Sequence, residues 1–309
     1  MAAKVAGGAE FSSPAQRIPW SREVRMTAFQ IGTIRIDQIV EMENVTVPAK
    51  WLLANISDFY PEIETFEINI QSFLIRTGKN TILVDSGCGD GRSRPGQPQF
   101  EGLTTGFLQK LALAGPQVDD IDLVILTHLH FDHVGWNTNW VDGAWRPTFP
   151  RARYLFSRNE YEFWGSAQWT GIGSEATRQS FRDSVQPVVD AGQADFLEAL
   201  EDIRRFDPEI ALLPLPGHTP YQFGIAVESM SERAVIVADA LHSPLQISEP
   251  RLYNGGDMDR ELALRTRQTL IRDHADTGTL LFGSHVGGSS AGCIVSGDGG
   301  PRFVEWTDA

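Results

Sequence analysis

A chain of 309 residues with 41% apolar, 10% aromatic and 21% charged residues can bury a large core, which excludes disorder as its overall state. Forty acidic against 26 basic side chains leave a formal charge of −14, which repels phosphate backbones and anionic lipid and argues against a nucleic-acid or membrane-surface role. The two cysteines, Cys88 and Cys293, form no CxxC pair, so neither a disulfide framework nor a thiolate zinc site is indicated and a reducing, cytoplasmic setting fits.

Residues 1–25 hold Ala, Gly, Ser and Pro without the apolar run of a signal peptide, and read as a leader arm, partly disordered or exchanged with a partner subunit. No later stretch approaches the roughly 20 apolar residues of a membrane span. From residue 26 to 309 the chain reads as one domain. Phe29 to Val40 and Phe66 to Ile75 alternate as strands with one buried face. Thr81 to Val84 is a short apolar run that stops at the turn Asp85-Ser86-Gly87. Leu103, Phe107, Leu108, Leu111 and Ala112 recur at helical spacing until Gly115-Pro116. Leu123 to Leu126 is apolar throughout, as a strand covered on both faces requires. Residues 159–205 read as helical and aromatic, either a lid over a pocket or two ordinary surface helices. Strands return at Ile210–Leu215, Phe223–Val227, Ala234–Ala238, Thr279–Phe282 and Phe303–Trp306, with a helix through Leu262 and Ile271 before the fourth. A second sheet beginning near Ile210 suggests two facing halves.

The densest chemistry is Thr127-His128-Leu129-His130-Phe131-Asp132-His133, directly after a buried strand. Three of seven histidines and an aspartate within six positions point to a metal, and imidazole with carboxylate suits Zn²⁺ first, with Fe, Mn or Co as other occupants. Three further candidates also follow apolar strands: His218, Asp239 and His285. Loops at strand ends are how an α/β scaffold gathers distant residues into one site. Seven ligands are too many for one tetrahedral zinc and about right for two.

With HxHxDH followed by His, Asp and His in this order, the chain from about Thr27 onward resembles the metallo-β-lactamase superfamily. The resemblance implies a four-layer αββα sandwich and a dinuclear zinc hydrolase. It implies His128, His130 and His218 as ligands of one metal, Asp132, His133 and His285 as ligands of the other, and Asp239 as the carboxylate bridging both. Asp85 corresponds to the family's early aspartate, which holds the histidine loop by hydrogen bonds; a plain turn residue is the other reading.

The pattern discriminates within the superfamily. Flavodiiron proteins have a glutamate at the position of His130, and zinc β-lactamases lack the bridging aspartate. RNase Z-like nucleases need a basic surface, and glyoxalase II enzymes a basic C-terminal region, whereas Gly287 to Ala309 contains Arg302 as its one basic residue. The chain is closer to the lactonase and methyl parathion hydrolase branch. N-acyl homoserine lactonases carry a tyrosine three residues after the bridging aspartate; here that residue is His242, either a hydrogen-bond donor and proton shuttle or a bystander. Trp136, Trp140, Trp164 and Trp169 are candidates for an apolar pocket wall. The implied reaction is attack by a metal-bridging hydroxide, oriented by Asp132 and Asp239, on an ester or lactone of a small, partly apolar and largely uncharged substrate. Organophosphotriester or aryl-ester hydrolysis is the near alternative, and a mononuclear iron persulfide dioxygenase shares HxHxDH. A homodimer is compatible with the sequence.

Overall fold

The computed structural model describes residues 27–166, 174–198, 200–201 and 203–307. The leader and Trp169 lie outside them. The first sheet is built from β1 (Ala28–Ile31), β2 (Ile34–Pro48), β3 (Thr65–Arg76), β4 (Thr81–Val84) and β5 (Leu123–Ile125). A small hairpin, β6 (Thr138–Val141) and β7 (Ala144–Pro147), intervenes before β8 (Arg153–Ser157) and β9 (Ala194–Leu197) complete it. Its order is β1-β2-β3-β4-β5-β8-β9, antiparallel up to β4 and parallel from β4 onward.

The second sheet runs in sequence order through β10 (Arg204–Asp207), β11 (Ile210–Pro214), β12 (Phe223–Ser229), β13 (Glu232–Ile236), β14 (Leu280–Phe282), β15 (Ala291–Val295) and β16 (Arg302–Glu305). Only β13 and β14 pair in parallel there, because the helix Arg260–His274 carries the chain from one to the other.

The sheets face each other across a shared core. Ile34, Ile36, Phe73, Ile75, Ile82 and Ile125 of the first meet Ile210, Leu212, Phe223, Ile225, Ile236 and Phe282 of the second. On the outer face of the first sheet, Leu74, Leu83, Val124 and Tyr154 pack on Phe107, Leu111, Val185 and Val188 from helical segments. On the outer face of the second, Val235 and Leu281 pack with Leu270 of the helix Arg260–His274. This is the four-layer αββα sandwich. No helix among the described residues is long and apolar enough to cross a membrane.

Three readings of the sequence change. The run Phe29–Val40 is two strands, since Gly32-Thr33 makes a tight turn between β1 and β2. β3 is buried on both faces, with eight consecutive buried residues from Ile68 to Ile75, because it lies between the second sheet and an outer layer. Residues 159–205 are not helical throughout: after Arg158–Gly165, Ser174–Ser180 and Gln186–Asp190 the chain forms β9 and β10, so the second sheet starts before Ile210.

Candidate metal centre

All four strand-end loops reach one place at the rim between the sheets. β5 delivers His128 to His133, β11 delivers His218, β13 delivers Asp239 and β14 delivers His285. Close packing of these loops is enforced by glycine. A Cβ on Gly135, just past the histidine motif, would lie 1.9 Å from the Cys88 carbonyl carbon. At Gly217 φ is +134°, and a Cβ there would meet the Ala263 backbone nitrogen at 2.3 Å, so no other residue lets the His218 loop sit against its helix.

Two donor groups converge, each with its ligand atoms within 4.8 Å of one another: His128, His130, His218 and Asp239, and Asp132, His133 and His285. Asp239 stands between them. Its Oδ2 lies 3.3 Å from His218 Nε2 and 3.2 Å from His285 Nε2, while Oδ1 lies 3.2 Å from His133 Nε2. His285 Nε2 is also 3.6 Å from Asp132 Oδ2. A third grouping joins Asp239 and His285 to His242, whose Nε2 is 3.2 Å from Asp239 Oδ2 and whose Nδ1 is buried without a hydrogen-bond partner.

The outer hydrogen bonds fix where the imidazole protons sit. Thr127 gives its hydroxyl proton to Asp85 Oδ2 at 2.9 Å, so its oxygen accepts from His128 Nδ1 at 3.1 Å. His133 Nδ1 donates to Asp85 Oδ2 (2.8 Å), His218 Nδ1 to Asp257 Oδ1 (3.1 Å) and His285 Nδ1 to the Asn69 carbonyl (3.2 Å). In the neutral rings, four Nε2 lone pairs then point inward. His128 Nε2 and His218 Nε2 lie 3.1 and 3.0 Å from His130 Nδ1, and His133 Nε2 and Asp239 Oδ1 face each other with neither hydrogen bonded. Lone pairs at such separations, buried from water, fit cations placed between them.

The imidazoles divide according to the charge beside them. Burial, reinforced by neighbouring imidazoles, drives His128 and His130 well below the ordinary imidazole range. His133 and His285 are also opposed by burial, but Asp239, with Asp85 beside one and Asp132 beside the other, lifts them above it. For Asp239 burial works against the charge, and His285, His133 and His242 overcome it to hold the carboxyl well below the usual range. The buried carboxylate thus demands positive charge around it.

Several supporting residues escaped the sequence reading. Asp257, buried and paired with Arg267 at 3.3 Å, orients His218. Glu160 is buried in the helix Arg158–Gly165, accepts from the Tyr221 amide at 3.2 Å, the Trp164 indole at 2.6 Å and the Thr219 hydroxyl, and so grips the loop carrying His218. Glu41 accepts from the amides of Cys88 and Gly89, Trp136 Nε1 and Thr105, pinning the Asp85 loop to the residues after the histidine motif. Nothing local marks them: Asp257, Glu160 and Glu41 each have another acid two residues on (Asp259, Glu162 and Glu43) and read as solvated side chains.

The centre opens into a cleft of about 330 Å³. His130, Asp132, His218, Asp239, His242 and His285 form its floor, and Trp51, Leu52, Ile68 and Phe131 an apolar wall. The tryptophans expected there are elsewhere. Trp136 stacks on Phe107 at 5.7 Å, Trp140 is 57% exposed on the small hairpin, and Trp164 is buried edge-on to the outer side of His130. Of the expected lid, Thr177 is the described residue that lines the cleft.

A sequence model of the metallo-β-lactamase superfamily matches residues 66–285. An N-acyl homoserine lactonase, AiiB, of Agrobacterium fabrum is 24% identical over 280 residues, covering 84% of this chain and 97% of that protein. An N-acyl homoserine lactonase of a Bacillus species is 23% identical over 249 residues, covering 75% and 87%. Among solved structures, AidC, a dizinc quorum-quenching lactonase in complex with a product, superposes with a TM-score of 0.74 at 20% identity, covering 92% of this chain and 98% of that one. The hydrolase AbOPH superposes with a TM-score of 0.73 at 21% identity and the same coverage.

Proposed function

The chain belongs to the metallo-β-lactamase superfamily, and from that premise we propose that it is a dinuclear-metal hydrolase opening a lactone or ester, as the N-acyl homoserine lactonases it is similar to do by name. The observation that carries this reading is the cleft itself. Two donor groups sharing Asp239 form its floor, and an apolar wall runs outward from them, as a substrate with a polar reacting end and an apolar tail needs.

His128, His130 and His218 would hold one ion, Asp132, His133 and His285 the other, and Asp239 both. Zinc suits these imidazole and carboxylate donors. When bound, such a pair of cations lowers the pKa of a shared water towards neutrality and polarises the scissile carbonyl. Asp132, whose side chain is 13% exposed, lines the cleft and would orient the attacking water and take up its proton. His242, on the cleft floor with its Nε2 3.2 Å from Asp239 Oδ2, would hydrogen-bond the substrate's reacting oxygen, and the proton taken up by Asp132 is the one returned to the departing alkoxide. The apolar wall excludes bulk water and fixes the tail, so that the carbonyl is presented to the floor. No serine or cysteine nucleophile is needed; Cys88 is buried behind the site with its thiol pushed well up by burial and by Glu41.

The test is a screen of zinc-loaded protein against lactones, aryl esters, phosphotriesters and β-lactams, with metal content measured on the same sample. Ring opening of lactones above the other classes is the expected outcome. Turnover confined to phosphotriesters or β-lactams overturns it.

A further inference from the structure

The mouth of the cleft carries charge that an uncharged substrate does not use. Lys50 and Arg260 both line it, and among the described residues no acid outside the metal-binding floor does. Among the described residues neither cation makes an ion pair, although acids exceed bases by 14 in the chain.

The two cations sit on segments that are stitched together. Asn254 donates to the Leu52 carbonyl at 2.8 Å, the Ala54 amide to the Tyr253 carbonyl at 2.9 Å, and the Tyr253 amide to Asn55 at 3.1 Å. The Arg260 guanidinium lies 4.1 Å over the Tyr253 ring, which places it without a carboxylate partner. On its other side the same loop touches the floor, where a Cβ on Gly256 would lie 3.4 Å from His218 Cε1. The mouth is therefore a braced element with two unneutralised cations facing a cleft whose far end is the reacting centre.

We propose that Lys50 and Arg260 form an anion subsite and that the substrate is a lactone or ester bearing a carboxylate on its tail, remote from the bond that is broken. This rests on the hydrolase reading and replaces the uncharged substrate that the overall charge of the chain suggests. Net charge sets the far field, whereas the local cations set what the mouth accepts. The wall formed by Trp51 and Leu52 lies beside Lys50, so an aliphatic segment can span from the floor to the mouth.

The experiment uses the full-length, zinc-loaded protein and its Lys50→Met, Arg260→Met double variant. Binding of adipate and of hexanoate is measured by calorimetry, and hydrolysis of monophenyl adipate and of phenyl hexanoate is followed in parallel. The wild type should bind adipate and process monophenyl adipate about tenfold better than the neutral-tailed partner, through KM, with the preference shrinking as salt is raised. The double variant should lose that preference while keeping its rate on phenyl hexanoate. Equal treatment of charged and neutral tails by the wild type, or a preference that survives in the double variant, overturns the subsite. If neither these esters nor any lactone is hydrolysed but adipate still binds better in a manner that needs Lys50 and Arg260, the hydrolase reading fails and the subsite stands.

Discussion

The histidines of the site are held in two different ways. His133 and His128 depend on Asp85, which takes the His133 Nδ1 proton directly and reaches His128 through Thr127. Asp85 ends β4 with φ at +56°, a left-handed conformation that turns its carboxylate back under the motif. His218 depends on Asp257, which is itself buried against Arg267 of the helix Arg260–His274, and its loop is gripped by Glu160 from across the sandwich. One half of the site is thus braced from within the first sheet, the other by segments distant in sequence. The first brace coincides with the strand-end turn that sequence reveals; the second exists only once the halves have met.

Asp239 belongs to both groups, so Asp239→Ala should erase the distinction. Most of both bound ions and most turnover should be lost, as judged by metal analysis and lactone hydrolysis. His242 belongs to neither brace. With glutamine there, kcat should fall by about a hundredfold or more while metal content stays near that of the wild type; unchanged kinetics would make it a bystander.

Asp85→Asn and Asp257→Asn separate the halves. Each should weaken metal affinity or activity by about 10–100-fold. The first touches a donor of each group, His133 directly and His128 through Thr127, and should loosen both ions, whereas the second should chiefly release the ion held by His218, which cobalt substitution and spectroscopy can distinguish. Equal loss of both ions in Asp257→Asn as well would show that the two braces act as one. Trp51→Ala touches no donor and should raise KM for long-tailed substrates by about tenfold with kcat preserved.

Much of this was legible beforehand. Four candidate donors within His128–His133, and His218, Asp239 and His285 each placed after an apolar run, pointed to residues that the fold brings together, because strand ends are visible in sequence as a break in hydrophobicity. Asp257 and Glu160 were not visible, since an acid in a loop or helix reads as solvated until tertiary packing buries it. Trp51 was missed for a related reason: nothing local distinguishes a cleft-lining tryptophan from Trp136, which stacks in the core. β9 and β15 were missed because Ala194–Leu197 and Ala291–Val295 are short and their strand character comes from the neighbours they pair with.

The central claim is that two cations share Asp239 in a cleft that opens lactones. Metal analysis of the purified, zinc-reconstituted chain, with lactone turnover measured on the same sample, tests it most directly. Two zinc ions per chain with ring opening that is lost on chelation and restored by zinc is the predicted result. One iron per chain with oxygen consumption, or no retained metal after reconstitution, would contradict it.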